Sequence, residues 1–467
     1  MRPSEHHLPG KEAGSAPRQS AFRTRNPGRP HFPPEVPIVI LLTGATGFLG
    51  SRLARALADA GHDVVCALRN PQHAAARALP GRMVQADMSR NVRATDWAPH
   101  LRGVDVVINA VGILRESATQ LFSTLHVAGP CALFEACVEA GVQRVINISA
   151  LGADDGAVSA YHRSKKEADD FLLRLPLRAT VVQPSLVYGA GGASACLFAK
   201  LATAPLIPLP GHGEQLVQPI HVDDAVQAIM ALVQKEKCIG ERVALVGARP
   251  VTLREFLIEL RQAMRLEPPW FLPLPIALVK LAASLGGNFR ASLLDRETLG
   301  MLERGNTGPP EATRVLLGRS PREPSAFITP PECEGTRALA LLGWLLPLLR
   351  FSIAIVWLVS GVVSFGVFPR NESYALLARS GIETLWAPSM LFGAAALDLA
   401  FGIGTLLLSN RYWLWLAQLA LIIVYTIIIT VYLPEFWAHP FGPILKNVPM
   451  VAVLVLLIAF EQRQEKR

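Results

Sequence analysis

The sequence predicts an α/β protein: a doubly wound parallel sheet with a small additional lobe, followed by a four-helix transmembrane bundle. Three observations carry this expectation. The apolar, β-branched run Ile38–Leu42 leads straight into Thr43-Gly44-Ala45-Thr46-Gly47-Phe48-Leu49-Gly50 and a helical stretch from Ser51 to Ala60. Strand-like and helix-like segments then alternate at short spacing as far as Gln183, which implies parallel strands with helices on both faces. Beyond Leu339, long apolar runs follow one another.

The first strand is a short buried run of the kind found in parallel sheets. Glycines at Gly44, Gly47 and Gly50 allow a tight turn and close approach of the backbone to a diphosphate. The following helix offers N–H groups and the positive end of its dipole to the same phosphates. This strand–turn–helix context predicts a Rossmann-type dinucleotide site at Thr43, Gly44, Thr46, Gly47, Phe48, Leu49 and Gly50. Further strands are expected at Val64–Leu68, Arg82–Ala86, Val104–Ala110, Val145–Ser149 and Ala179–Gln183, with helices at Val127–Ala140 and Tyr161–Leu173. From Gln183 to about Gly335, Pro and Gly become frequent, as suits a smaller substrate-facing lobe.

Three ranges follow: a disordered basic leader over residues 1–37, a nucleotide-binding domain with its lobe over 38–335, and a membrane domain over 336–467. The leader is rich in Pro, Gly, Ser and Arg and lacks an apolar core of signal-peptide length; a transit peptide is the alternative. The membrane runs are Phe351–Phe368, Pro388–Leu408, Trp413–Leu433 and Val448–Phe460, the last starting near Ile444. Each approaches the roughly 20 residues that a spanning helix needs. Trp344, Trp386, Tyr412, Trp413, Tyr432 and Trp437 lie near their ends, as in membrane-interface belts. Flanking basic residues, and an even number of spans, put both termini on the cytoplasmic side of a bacterial inner membrane.

The chain has 467 residues, is 51% hydrophobic, and carries a net charge of +8. Its basic residues form no aromatic-interleaved cluster, so nucleic acid is excluded as a partner and anionic lipid accounts better for the charge. Cys66, Cys131, Cys137, Cys196, Cys238 and Cys333 have no paired spacing and read as isolated, mostly buried thiols. No metal site is indicated.

Cofactor choice is legible after the second strand. An acid there would favour NAD through the ribose 2′-OH, whereas an Arg accommodates a 2′-phosphate. The strand ends Ala67-Leu68-Arg69-Asn70, so Arg69 favours NADP(H), with NAD(H) the alternative. Asp87 is expected near the adenine, and Asn109, Ala110 and Val111 where the fourth strand passes the cofactor. Ser149 ends a strand, while Tyr161 and Lys165, four apart, share one helical face. An ammonium beside a phenol lowers its pKa from near 10. Tyr161 then suits general acid–base catalysis on a carbonyl or alcohol, with Ser149 bound to the same oxygen and Lys165 on the nicotinamide ribose.

The Gly motif, Asn109-Ala110, Ile148-Ser149-Ala150-Leu151-Gly152-Ala153, Tyr161-x-x-x-Lys165 and Gln183-Pro184-Ser185-Leu186-Val187-Tyr188-Gly189 resemble the atypical short-chain dehydrogenase/reductase superfamily, that of the NAD-dependent epimerases and dehydratases. Within it, the chain is similar to the branch of the nucleotide-binding accessory subunit of respiratory complex I, as is Met301-Leu302-Glu303-Arg304-Gly305-Asn306. The resemblance covers about residues 37–330 and adds Pro184 to the cofactor-binding set. The tail is similar to the DoxX-like membrane domain, through its hydropathy and residues such as Arg350 and Trp357. The superfamily implies an NAD(P)-dependent reductase, epimerase or dehydratase, although many complex I-like members bind NADPH without known turnover. With the membrane tether, it implies a lipophilic carbonyl or alcohol substrate, quinone- or isoprenoid-related or a lipid-linked sugar. The alternative is a non-catalytic NADPH-binding scaffold or redox sensor in a membrane protein complex.

Several residues admit two readings. Asp223 or Asp224 in His221-Val222-Asp223-Asp224 reads as a helix cap ahead of a catalytic acid. His126 reads as a helix-surface residue near the cofactor. Asp398 lies inside the second span, where a charge is costly and points to function; pairing with Arg350 is one expectation. Trp270–Leu285 is an apolar stretch that either lies on the membrane surface or forms a lid over the lobe.

Overall fold

The structure, a computed structural model, describes residues 37–72, 79–234, 238–286, 296–440 and 442–465. The leader, apart from Pro37, lies outside the described residues.

Seven parallel strands form the central sheet: β1 (Val39–Thr43), β2 (Asp63–Leu68), β3 (Arg82–Gln85), β4 (Val106–Asn109), β5 (Arg144–Ile148), β6 (Ala179–Pro184) and, after intervening short strands, β11 (Glu241–Leu245). Their order is β3-β2-β1-β4-β5-β6-β11. The chain leaves β1 in one direction and resumes at β4 in the other, so β1 and β4 flank the crevice in which such sheets bind ligands. Side-chain alternation along β1 sends Ile40 and Leu42 to one face and Leu41 to the other. The first face is covered by α1 (Gly50–Asp59), the second by α2 (Gly129–Ala140) and α3 (Ala160–Arg174).

Three two-stranded sheets build the lobe, and α4 (Ala193–Thr203), α5 (Val222–Gln234) and α6 (Leu253–Ala263) run among them. β7 (Val187–Tyr188) pairs with β10 (Ile220–His221), β9 (Leu216–Val217) with β12 (Val251–Thr252), and β8 (Leu206–Pro210) with β13 (Trp270–Leu274). Two helices follow β13: α7 (Ile276–Gly286) and α8 (Arg296–Arg304). The stretch read as one apolar segment, Trp270–Leu285, is therefore a strand and a helix. Asp224 does not cap α5. It is wholly buried and accepts from Arg319 (2.6 Å) and from the backbone N–H of Arg322 (2.8 Å), while Arg322 also reaches Asp223 (3.1 Å).

α9 (Pro330–Val362) begins in this lobe and ends in the membrane region. Its 33 residues rise about 50 Å, well beyond the ~30 Å hydrocarbon core. Cys333 and Ala340 belong to the same core as Tyr188, Phe256 and Phe327, so the first turns are part of the lobe. Three further helices join it: α10 (Ala387–Leu407), α11 (Tyr412–Tyr432) and α12 (Asn447–Glu465). α9 with its terminal π-turn, α10 and α11 are long and apolar enough to cross a membrane. The fourth expected span is present as α12, but its apolar described portion, Asn447–Glu461, is shorter.

α9 and α10 pack closely because each presents a glycine to the other. A Cβ on Gly361 would come within 2.7 Å of Leu399, and one on Gly402 within 2.6 Å of Leu358. Trp357 donates to Gln418 (2.9 Å), which donates to Thr405 (2.9 Å), satisfying polar groups inside the bundle. Arg350 pairs with Glu461 (3.2 Å), not with Asp398. Asp398 is buried, and its Oδ1 has no hydrogen-bond partner.

Asp224 should be a stability residue. Truncating it leaves Arg319 and a buried backbone N–H without their acceptor, and breaking such a pair costs about 3 kcal/mol or more. Asp224→Ala is expected to lower stability by that order in denaturant unfolding of the detergent-solubilised protein. A change under about 0.5 kcal/mol, the ordinary range for surface substitutions, would contradict this.

Candidate functional site

The carboxyl ends of β1 and β4 form a cradle. Gly44 has φ +70°, and a Cβ there would lie 2.6 Å from the Ala110 carbonyl oxygen. A Cβ on Gly50 would collide with the Gly44 carbonyl. These two positions therefore require glycine if β1 is to turn into α1 while staying against β4. Thr46 and Gly47 are exposed at the rim, Phe48 and Leu49 are half-buried, and Leu49 gives α1 no side-chain cap. An uncapped helix start under an open glycine turn fits a diphosphate.

Arg52, which sequence reasoning did not single out, closes one side of this cradle. Its guanidinium lies 4.6 Å from the Phe48 ring centre and donates to the carbonyls of Phe48 (2.9 Å) and Ala190 (2.5 Å). It thereby ties the glycine turn to the loop after β7. Nothing in its local sequence signals this, because Ala190 is 138 positions away.

Across the crevice, Thr43 Oγ1 donates to Asn109 Oδ1 (2.7 Å), and Asn109 Nδ2 donates to Asn147 Oδ1 (2.8 Å). The same Asn109 oxygen accepts from Val111 N (3.3 Å). Ala110 and Val111 thus lie beside Gly44. Pro184 ends β6, and its carbonyl accepts from Leu151 N. Arg69 follows β2 and is exposed. Asp87 follows β3, but its carboxylate closes its own turn, accepting from Ser89 N (3.0 Å) and Oγ (2.7 Å).

Ser149 donates to a residue that sequence reasoning missed, Asp169, whose negative charge also acts on Lys165. This carboxylate is fully buried and accepts from Ser149 Oγ (2.5 Å) and Asn147 Nδ2 (2.8 Å). Tyr161, Lys165 and Asp169 are spaced by four along α3 and form one stripe; that spacing is the signal that could have found Asp169. Burial pushes the Asp169 carboxyl up to about 6, against the pull of Ser149, Lys165 and Asn147. Burial likewise lowers Lys165 to about 8, with Asp169 acting the other way.

Lys165 Nζ donates to the carbonyls of Val111 (3.0 Å) and Ile148 (3.1 Å). It therefore bridges the ends of β4 and β5, and Gly112 lies close enough that a Cβ would be 3.1 Å from Nζ. The expected drop in the Tyr161 pKa is not found. Burial, reinforced by the negative charge of Asp169, raises the phenol to about 12. The ammonium's charge is spent on two carbonyls and Asp169, and the phenol stays protonated.

His126 is not a surface residue. It is buried in a π-helical turn, stacks on Phe122 (4.9 Å between ring centres) and meets Tyr161 edge-on at 5.6 Å. Its Nε2 accepts from Ile113 N (3.0 Å), so Nδ1 carries the proton toward Ser164 Oγ (2.9 Å), whose own hydroxyl donates to the Tyr161 carbonyl (2.8 Å). Burial and the nearby Lys165 charge push His126 down to about 3, so it is neutral and holds the Tyr161 turn by hydrogen bonds.

On the outer side, α8 reaches the mouth of the site. Glu297 accepts from Ala160 N (3.1 Å), and Arg304 donates to Gly152 O (2.9 Å) and both Asp154 oxygens (2.5 and 2.7 Å). Among the described residues no cluster of His, Cys, Asp and Glu could hold a metal ion. Among the described residues no disulfide is formed; Cys196 is exposed, while Cys66, Cys137 and Cys333 are buried.

Comparison with known proteins agrees with this architecture. Residues 40–247 match the NAD dependent epimerase/dehydratase family, and residues 354–455 match the DoxX-like family. The chain is 33% identical over 195 residues to a ceramide reductase from Caulobacter vibrioides, covering 41% of this chain and 60% of that protein. It is 31% identical over 260 residues to the mitochondrial NADH dehydrogenase [ubiquinone] 1 alpha subcomplex subunit 9 of Arabidopsis thaliana, covering 53% of this chain and 63% of that protein. It therefore spans less than two thirds of either relative. A nucleoside-diphosphate-sugar epimerase from Staphylococcus aureus shares the fold at a TM-score of 0.51 and 18% identity, over 62% of this chain and 99% of that one. The chain thus carries a domain of the NAD dependent epimerase/dehydratase family, joined to a DoxX-like domain.

Proposed function

We propose that this protein is a membrane-anchored, NADP(H)-preferring reductase of the short-chain dehydrogenase/reductase type, acting on a lipophilic carbonyl or alcohol. The observation that carries the reading is the placement of Ser149 and Lys165 beside the glycine cradle, Ser149 through Asp169, Asn147 and Asn109 and Lys165 through the carbonyls of Val111 and Ile148, with Tyr161 one turn before Lys165 on α3. The cradle is closed to a Cβ where the backbone is tight and open at Thr46 and Gly47, which fits a dinucleotide diphosphate. Arg69 is free of burial at the end of β2 and suits a 2′-phosphate. A nicotinamide coenzyme held in this cradle would supply or accept the hydride.

The chain's own residues do the remaining work in reduction. Tyr161, protonated well above neutral pH, gives its proton to the carbonyl oxygen as the carbon receives the hydride. Lys165, cationic below about 8, would hold the coenzyme ribose. Ser149 fixes the substrate oxygen. The relative named a ceramide reductase supports a lipid carbonyl as substrate class, with quinone- and isoprenoid-related compounds in the same class by partition.

The polar ring of Arg350, Arg411 and Glu461 lies at the end of the bundle where α9 leaves for the lobe. It supports a cytoplasmic nucleotide-binding domain and cytoplasmic termini in a bacterial inner membrane. The ranges 1–37, 38–335 and 336–467 are the proposed domain division, with α9 crossing the last boundary so that its turns as far as Ala340 pack in the lobe. A second reading, an NADPH-binding scaffold in a membrane complex, is favoured by one observation. The Ser149 hydroxyl is turned to Asp169 rather than held open for a substrate.

Tyr161→Phe separates the two readings. Removing the proton donor should cut reduction by about 10²–10⁴-fold at unchanged NADPH affinity, whereas a scaffold would keep full cellular function. Arg69→Glu should weaken NADPH by about tenfold, the worth of one charge-assisted contact, and improve NADH; titration calorimetry with both coenzymes reads this. Equal affinities in the native protein would overturn the NADP(H) preference.

The pH profile follows from Lys165. Its ammonium is present below about pH 8 and is lost as pH rises through that value. With the coenzyme as varied substrate, kcat/KM for reduction should fall above about pH 8, and a flat profile to pH 9.5 would contradict the role of Lys165. Stability runs the other way. Between about 8 and the ordinary lysine value the folded state binds fewer protons than the unfolded one, so this group adds stability as pH rises.

A further inference from the structure

The lobe carries an apolar outer face where a sheet that meets water is ordinarily polar. In the β8–β13 pair, Trp270 is registered with Leu206 and Leu272 with Pro208. Ile207 and Leu209 point inward and are buried, which sends Leu206, Trp270 and Leu272 to the opposite face. That face is bare: Trp270 is 80% exposed, and Leu206 and Leu272 nearly half. α7 continues it with Ile276, Leu278 and Leu281, the last two more than half exposed. A contiguous apolar patch of this kind marks an interaction surface.

Its position identifies what covers it. α4 packs on α9, with the Lys200 side chain lying across Gly343. Gly343 is seven residues before Arg350, about 10 Å along the helix, and Arg350 belongs to the polar ring at the bundle's end. Lys200 is therefore at head-group depth, where a long basic side chain is favourable. Two residues after α4 ends, Pro205 O accepts the backbone N–H of Trp270. The patch thus begins beside the point where the chain enters the membrane, and an interfacial tryptophan is the usual anchor at that level.

The same patch leads inward to the site. Lys280 of α7 pairs with Glu303 of α8 (3.0 Å), and α8 caps the start of α3 through Glu297 and Ala160, one residue before Tyr161. We propose that the β8–β13 face and the exposed side of α7 lie in the bilayer interface and form the surface through which a lipid substrate passes from the membrane to Tyr161. This rests on the reductase reading for the substrate, and on the membrane helices alone for the docking surface. Less than two turns of α8, from Glu303 to Glu297, connect the patch to the start of α3, so the substrate's reactive carbonyl enters near the polar head while its chain stays in the bilayer.

The test uses the full chain in nanodiscs of phosphatidylcholine and phosphatidylglycerol containing a head-proximal nitroxide lipid. An environment-sensitive fluorophore is attached to Leu272→Cys or Leu278→Cys in a Cys196→Ser background, with Glu139→Cys at the end of α2 as the control. We expect at least twofold quenching at 272 and 278 and none at 139. Quenching at 272 and 278 no greater than at 139 would overturn the surface, including the case in which a protein partner covers it. NADPH titration of the same samples verifies the fold of each variant and keeps the two claims apart. Loss of coenzyme binding in the native chain defeats the reductase reading, whereas normal binding without quenching defeats only the membrane surface.

Discussion

Asp169 is the constraint around which the site is organised. A carboxylate with no access to water has to be satisfied by fixed donors, because leaving it unpaired in a low-dielectric interior is too costly. Ser149 and Asn147 supply those donors, Asn147 is held by Asn109, and Asn109 is held by Thr43. One buried charge on α3 therefore fixes residues on β1, β4 and β5 in a single line of hydrogen bonds. The line passes beneath the crevice between β1 and β4, so the cradle and the stripe of Tyr161, Lys165 and Asp169 cannot shift independently.

The same carboxyl sets what Ser149 presents to the crevice. While Asp169 is ionised it accepts the Ser149 proton, and the hydroxyl presents only lone pairs to the site. Once Asp169 is protonated, around its raised value of about 6, it donates to Ser149 and frees the serine proton toward the crevice. Lys165 opposes this by favouring the ionised form. The two groups titrate as a coupled pair, and the resting arrangement describes one state of that pair.

Much of this was legible in the sequence, and the physics explains the division. Gly44 and Gly50 could be read because close backbone approach admits one residue type, and the alternating strands because burial on both faces leaves a plain apolar pattern. Tyr161 and Lys165 follow from helical periodicity. The direction of the Tyr161 shift was not legible, since it depends on where Lys165 spends its charge, on the carbonyls of Val111 and Ile148 far away in sequence. His126 reads as a surface residue because a histidine's burial depends on partners, here Ile113 and Ser164, that no local pattern reveals. Asp224 was misread as a cap for the same reason: its partners Arg319 and Arg322 lie nearly a hundred residues on. In the bundle, Arg350 found Glu461 at the end of the last helix rather than Asp398 within the span.

The continuous helix α9 decides how the two halves work together. A flexible linker would let the nucleotide-binding domain sample all orientations above the bilayer. A helix whose first turns are packed in the lobe core beside Phe256 and Phe327 and whose later turns are packed on α10 fixes one orientation instead. A soluble substrate gains nothing from such fixation, because it reaches a freely tumbling site equally well. A substrate confined to the membrane reaches the site only if the crevice is held at the correct height and angle. Rigid attachment therefore weighs toward chemistry on a lipid, since it removes in advance the orientational entropy that capture would otherwise cost.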